Sequence, residues 1–303
     1  MTSLCVNSIK MNTLPTAQLM LLLTAIFWGT SYGLAKEVLL SVSVAAFLAI
    51  RFFMTVCFLV PLYLNDYRKG LAKDWLFALP TGIILLCIFL AESYGIVYTT
   101  ASNAAFLISL CIIITPFIEW CVFKVFPGRA LVLLACMCLC GVFLLTEQNY
   151  TRISLNKGDL YILLAALLRA CMVVCTKVLM KDKVLSSICL TTLQSGVVAV
   201  GAITLLCLTP DFANFTLPDS PSFWFTTLYL VVFCTIFAFF AQNYGVRHTS
   251  PSRASLLMGT EPAFGALFAM YWLGDTFTVI QAIGGVIIVL ASLAATVFNA
   301  GRQ

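Results

Sequence analysis

Ala91-Glu92-Ser93-Tyr94-Gly95-Ile96-Val97-Tyr98-Thr99-Thr100-Ala101-Ser102-Asn103-Ala104 and Ala241-Gln242-Asn243-Tyr244-Gly245-Val246-Arg247-His248-Thr249-Ser250-Pro251-Ser252-Arg253-Ala254 stand 150 residues apart, each at the end of a long apolar run. Ala, Tyr, Gly, Thr, Ser and Ala recur in register. Such an echo is the mark of an internal repeat. In a membrane chain it implies two halves around one central site, which rocking of the halves would expose to each side in turn.

The surrounding composition supports a membrane chain. Of 303 residues, 62% are hydrophobic and 10% charged, too apolar for a water-soluble surface. Mostly apolar stretches long enough to cross about 30 Å of hydrocarbon recur along the chain. Ten spans are predicted: Thr16–Ala35, Val44–Leu64, Trp75–Tyr98, Ser102–Phe123, Ala130–Thr146, Asp159–Met180, Leu185–Leu208, Phe223–Gly245, Ser252–Leu273 and Thr278–Phe298. The expected class is an all-α integral membrane protein, with two inverted five-helix repeats around a central cavity. Residues 16–146 form the first repeat and 159–298 the second. They are flanked by a segment 1–15, a linker 147–158 and a tail 299–303. Five spans per half is odd, so the second half crosses in the opposite sense. The first span carries Trp28-Gly29 and no small-x-small cleavage pattern, so it reads as a retained helix and not as a signal peptide.

Basic residues predict orientation. With the N-terminus cytoplasmic, inner segments hold Lys10, Arg68, Lys69, Lys73, Lys124, Arg129, Lys181, Lys183, Arg247, Arg253 and Arg302, and outer segments hold Lys36, Arg152 and Lys157. Both termini are therefore expected in the cytoplasm, in a multi-pass protein of the inner (cytoplasmic) membrane. The charges are scattered over short loops, which argues against nucleic acid as a partner. Twelve of the thirteen cysteines fall inside spans, Cys5 being the exception, and read as small packing residues. Cys136, Cys138 and Cys140 lack metal-site spacing. No metal and no cofactor is expected.

Further echoes keep the same order. Lys36-Glu37-Val38-Leu39-Leu40 matches Lys177-Val178-Leu179-Met180, which sets Trp28 opposite Arg169. Thr115-Pro116-Phe117 matches Glu261-Pro262-Ala263, and Cys140-Gly141-Val142 matches Gly284-Gly285-Val286. On these residues, with Phe27-Trp28-Gly29-Thr30-Ser31-Tyr32 in the first helix and Leu273-Gly274-Asp275 near the end, the chain resembles the EamA-type transporters of the drug/metabolite transporter superfamily. The resemblance covers almost the whole chain. It implies a basket of ten helices, with helices 1, 3, 4, 6, 8 and 9 lining the cavity and helices 5 and 10 peripheral. It also implies transport of amino acids, other small metabolites or drugs, often outward. Arg169, with Cys171 and Cys175 nearby, departs from the common pattern.

Polar residues inside the bilayer mark the candidate site, because a charge at mid-membrane costs roughly 2.5–3.5 kcal/mol on insertion scales. Arg169 and Glu261 fit the carboxylate and ammonium of a free amino acid, although a structural ion pair, Arg169–Glu261 or Arg51–Glu261, is the alternative. Trp28 and Tyr32, one turn apart, could wall the substrate. Glu92, Tyr94, Asn103, Gln242, Asn243 and Tyr244, in and around the repeated motif, complete the candidate binding set. Glu92 and Glu261 are the candidates for coupling to a proton. Gly95 and Gly245 are expected to end their helices before a tight reversal, as hinges. Pro116 and Pro262 are expected to interrupt helices 4 and 9 at matching places. Arg51 reads as a packing charge in a less central helix 2, Gln194 as an interhelical hydrogen-bonding group, and Glu119 as a snorkelling carboxylate.

The resulting expectation is a secondary transporter of small metabolites, chiefly amino acids, working by export or facilitated exchange. No ATP-binding motif is present. A multidrug or amphiphile exporter is the near alternative, and a channel or structural membrane protein the distant one. Gly29-Thr30-Ser31-Tyr32-Gly33 matches a serine-nucleophile pattern. It lies inside a helix, however, and the single histidine, His248, is expected at the other face of the membrane, so no catalysis is expected.

Overall fold

A computed structural model describes residues 2–146, 156–212, 216–273 and 278–297. Most of the predicted linker, Gly274-Asp275, the charges Arg152 and Arg302, and the tail lie outside the described residues, as do the side chains of Cys5, Lys10, Ser102 and Trp272.

The described chain is helical throughout, with one isolated bridge, Ala72 to Leu185. Its helices are α1 (Thr2–Val38), α2 (Val44–Arg68), α3 (Ala78–Tyr98) and α4 (Ala101–Ser109, continuing as Cys111–Phe123). They continue as α5 (Arg129–Thr146), α6 (Lys157–Leu179), α7 (Ser187–Leu208), α8 (Pro221–His248), α9 (Pro251–Met258, then Glu261–Phe268) and α10 (Val279–Val297). All but α9 are long and apolar enough as single helices to cross a membrane. The predicted spans agree with them to within a few residues at most ends.

Local sequence explains the helix starts. Ser43, Thr100, Asn156, Ser186 and Ser250 each accept a hydrogen bond from the backbone N–H three residues on, as short polar N-caps do. Asn156 and Asp159 complete a reciprocal capping box on α6. The break in α9 is also local. Its first segment ends at Met258, and the next opens with Pro262 in its first turn, where a missing N–H costs nothing. Pro116 behaves differently from expectation. It lies inside the continuous segment Cys111–Phe123, and the irregularity in α4 falls at Leu110 instead.

Helix contacts follow a two-fold exchange between halves. α1 packs on α8 and α9, as α6 packs on α3 and α4. α3 packs on α7, as α8 packs on α2. α2 meets α7, α4 meets α9 and α5 meets α10. The α5–α10 seam depends on missing side chains: a Cβ on Gly141 would lie 2.8 Å from the Gly284 carbonyl oxygen, and one on Gly284 2.6 Å from the Gly141 oxygen. Gly95 and Gly245 play the same part. Neither ends its helix or takes a positive φ, contrary to expectation; α3 runs on to Tyr98 and α8 to His248. A Cβ on Gly95 would meet Ile162 Cδ1 at 2.5 Å, and one on Gly245 would meet Leu21 Cγ at 2.5 Å. Leu21 and Ile162 are 141 residues apart, the same offset as Lys36 and Lys177. The repeated Tyr-Gly therefore marks one packing joint used twice.

Candidate functional site

A central cavity of about 60 Å³ lies among α1, α2, α3, α4, α6, α8 and α9. α5 and α10 contribute nothing to it, as expected, but α2 does through Phe47 and Arg51, and helix 2 is therefore more central than the sequence reading made it. Ligand pockets usually run to roughly 300–1,000 Å³, so this cavity is small.

Arg169 is the hub of the cavity. Its Nη1 donates to Glu261 Oε2 at 2.9 Å, and its Nε lies 2.5 Å from Glu92 Oε1. The contact to Glu92 is an ion pair without hydrogen-bond alignment, and Glu261 Oε1 accepts no well-formed hydrogen bond among the described residues. Above the guanidinium sits the Trp28 ring, 4.7 Å from centroid to Cζ. One cation thus joins α6 to α3 of the other repeat and to α9 of its own. Glu92 and Glu261 are both buried. Glu261 also stands in the first turn of its segment, where the helix dipole favours a carboxylate.

Trp28 is fixed by α8. That helix widens into a π segment at Leu230–Phe237, a distortion that often accompanies functional sites. The Cys234 carbonyl accepts the Trp28 indole N–H at 2.9 Å, and the Thr235 hydroxyl donates to the Leu230 carbonyl five residues back. Tyr32 and Gln242 line the same cavity.

The other sequence candidates are dispersed. Asn243 is buried but turns to α7, donating to Thr191 Oγ1 at 3.0 Å and Gln194 Oε1 at 2.8 Å; Gln194 in turn donates to Thr81. Tyr244 lies against His248, its ring tilted 31° to the imidazole, at one end of the molecule. Tyr94 packs near Tyr161, and Asn103 lies in the first turn of α4 with its N–H on Thr100. None of these four lines the central cavity. Glu119 is more than a snorkelling group: its Oε2 accepts the Ser252 N–H at 2.7 Å and the Ser252 hydroxyl, capping α9. Ser31, of the nucleophile-like motif, donates to the Trp28 carbonyl. His248 lies at the end of α8, outside that cavity.

The two ends of the bundle differ. At one end Thr99 donates to Asp159 at 2.5 Å and Lys36 donates to the Thr99 carbonyl at 3.2 Å. At the other, Lys177 donates to the Arg247 carbonyl at 2.8 Å, and Arg247 to the carbonyl of Leu185. There a second cavity of about 760 Å³ is lined by Lys177, Lys181, Lys183 and Arg247, with Asp182, Tyr244 and His248. This basic end is the one that the charge bias assigns to the cytoplasm.

Known proteins agree with this architecture. A transporter of Archaeoglobus fulgidus, named an uncharacterized transporter, is 29% identical over 91% of this chain and 84% of its own. The uncharacterized transporter YyaM of Bacillus subtilis is 24% identical over 92% of each chain. One solved structure, titled only as the crystal structure of a protein, superposes with a TM-score of 0.75 over 93% of this chain and 96% of its own, at 16% identity, and so supports the fold. The model of the EamA-like transporter family matches twice, at residues 15–147 and 156–297. The double match restates the internal repeat, and small-molecule transport across a membrane is the activity it carries. The chain is a multi-pass membrane protein that belongs to the EamA-like transporter family.

Proposed function

We propose that the protein is a secondary transporter that moves amino acids or related small metabolites across the cytoplasmic membrane, in export or facilitated exchange. The observation that carries this reading is the buried cavity between the repeats, where two carboxylates share one arginine. A substrate ammonium, or a proton, can take over Glu92 and so weaken the bond between α3 and α6. Because that bond joins the two repeats, its release is coupled to their rocking. Alternating access then follows, with the Thr99–Asp159 end closed while the basic end is open, and the reverse. The wall of Trp28, Phe47, Phe89, Met172, Phe239 and Met258 suits a substrate with an apolar body, and it equally supports the second reading, export of amphiphiles.

The direct test is thermal stabilisation of the purified protein by each of the twenty amino acids, with and without Arg169→Ala. The expected result is a rise in Tm with apolar or aromatic amino acids that the variant loses. No rise with any of the twenty moves the assignment to amphiphiles.

A further inference from the structure

Arg51 is unused by the ion pairs of the site, and its surroundings are unusual for a packing charge. It lies in α2 between Phe47 and Phe52 and is 4% exposed. Its guanidinium carbon is 5.7 Å, 5.9 Å and 5.1 Å from the ring centroids of Phe47, Phe52 and Phe89. Nε donates to Thr235 Oγ1 at 2.8 Å, from the π segment of α8. No carboxylate among the described residues comes within ion-pair distance of Arg51, since Glu92 and Glu261 are both drawn to Arg169. Among the described residues the two Nη groups have no hydrogen-bond acceptor, and Arg51 lines the central cavity.

Aromatic rings partly offset the burial of a cation, but they accept none of its five N–H bonds. An uncompensated buried charge is strongly unfavourable, and arginine's planar fork matches a carboxylate with two parallel hydrogen bonds. The second repeat shows what this position looks like when it is structural. Counted from the N-caps Ser43 and Ser186, the mate of Arg51 is Gln194, and its amide is tied to Thr81 and Asn243. Arg51 has one tie, and it orients the fork without filling it.

We infer that Arg51, held by Thr235 and the three phenylalanines, is the residue that binds the carboxylate of an organic substrate in the central cavity. The inference rests on the small-metabolite reading above and moves the carboxylate from Arg169 to Arg51. Arg169 keeps the repeats together, and Glu92 and Glu261 receive the positive end of a zwitterion. Monocarboxylates with an apolar or aromatic body are the minimal ligand.

The test is equilibrium binding to purified full-length protein of three probes: 3-phenylpropanoate, its uncharged amide 3-phenylpropanamide, and phenylethylamine. Each is measured on the unaltered chain, R51Q and R51K, with T235V as a variant that leaves the guanidinium in place. Thermal unfolding is recorded for each to confirm folding. The expected result is that 3-phenylpropanoate binds the unaltered protein at least 10-fold more tightly than R51Q. R51K recovers part of the loss, T235V loses severalfold, and phenylethylamine changes less than twofold throughout. Equal binding of 3-phenylpropanoate to R51Q and the unaltered chain overturns the assignment and leaves the small-metabolite reading standing, as does binding of phenylethylamine alone. Binding of the amide as tight as that of the carboxylate also overturns it. An unaltered protein that takes none of the three overturns the assignment, and the amino-acid reading is then decided by the thermal stabilisation with the twenty amino acids.

Discussion

The two repeats differ most where the cavity is and least where helices only pack. Packing positions are kept: Leu21 and Ile162 each fill the space left by a glycine, Gly245 and Gly95. The caps Ser43 and Ser186, and Thr100 and Ser250, do the same work twice. At the cavity the repeats part company. Trp28 stands against Arg169, Arg51 against Gln194, Glu92 against Gln242, and Thr115 against Glu261. In every pair one half carries a charge and the other a neutral residue. A shared scaffold needs equal joints, whereas a small asymmetric solute needs unequal walls. Symmetry in this chain therefore reports the fold, and broken symmetry reports the site.

The largest expected effect comes from breaking the most unequal pair. Arg169→Ala leaves two buried carboxylates without a cation, a loss of about 3–5 kcal/mol that thermal unfolding in detergent should register. Adding Glu261→Gln to it should recover part of that loss. Next come the equal joints. Gly95→Val and Gly245→Val each force a side chain into an occupied space and should cost about 1–3 kcal/mol. The comparison predicts similar costs for the two, and a joint that tolerates valine in one repeat alone would break it. Charge asymmetry is sharpened by a matched pair of substitutions. Gln242→Glu adds a third carboxylate to the cavity and should destabilise, while Glu92→Gln keeps the Arg169–Glu261 bond and should lower Tm less. The smallest effect is at the Thr99–Asp159 end, where Thr99→Val removes the hydroxyl bond to Asp159. A loss of about 0.5–1.5 kcal/mol is expected, with faster hydrogen exchange confined to the starts of α4 and α6.

Much of this was legible before the fold. The spans, the repeat, the Trp28–Arg169 opposition and the interruption of α9 at Pro262 are all written in local sequence. Contiguity misled elsewhere. Gln242, Asn243 and Tyr244 are adjacent in sequence, but successive residues on a helix turn by about 100°. They therefore face the cavity, α7 and the basic end respectively. Tyr94, two residues from Glu92, turns away from the cavity for the same reason. The Tyr-Gly echo drew attention because it is preserved in both halves, and preservation is what a packing joint requires. Arg51 reads from sequence as a packing charge. Its unpaired place in the cavity depends on the π segment of α8, which carries Thr235 to it, and on both carboxylates choosing Arg169. Neither follows from residue spacing.

The central claim is that the unequal cavity binds a solute and passes it from side to side as the repeats rock. Counterflow in proteoliposomes tests it most directly. Vesicles are preloaded with the unlabelled amino acid that raises Tm most and diluted into a trace of its labelled form. The account predicts a transient accumulation of label above equilibrium, saturable and lost in Arg169→Gln, a variant assayed only after its folding is confirmed. Uptake that merely equilibrates, grows linearly with concentration and ignores the internal load would contradict it and describe a channel.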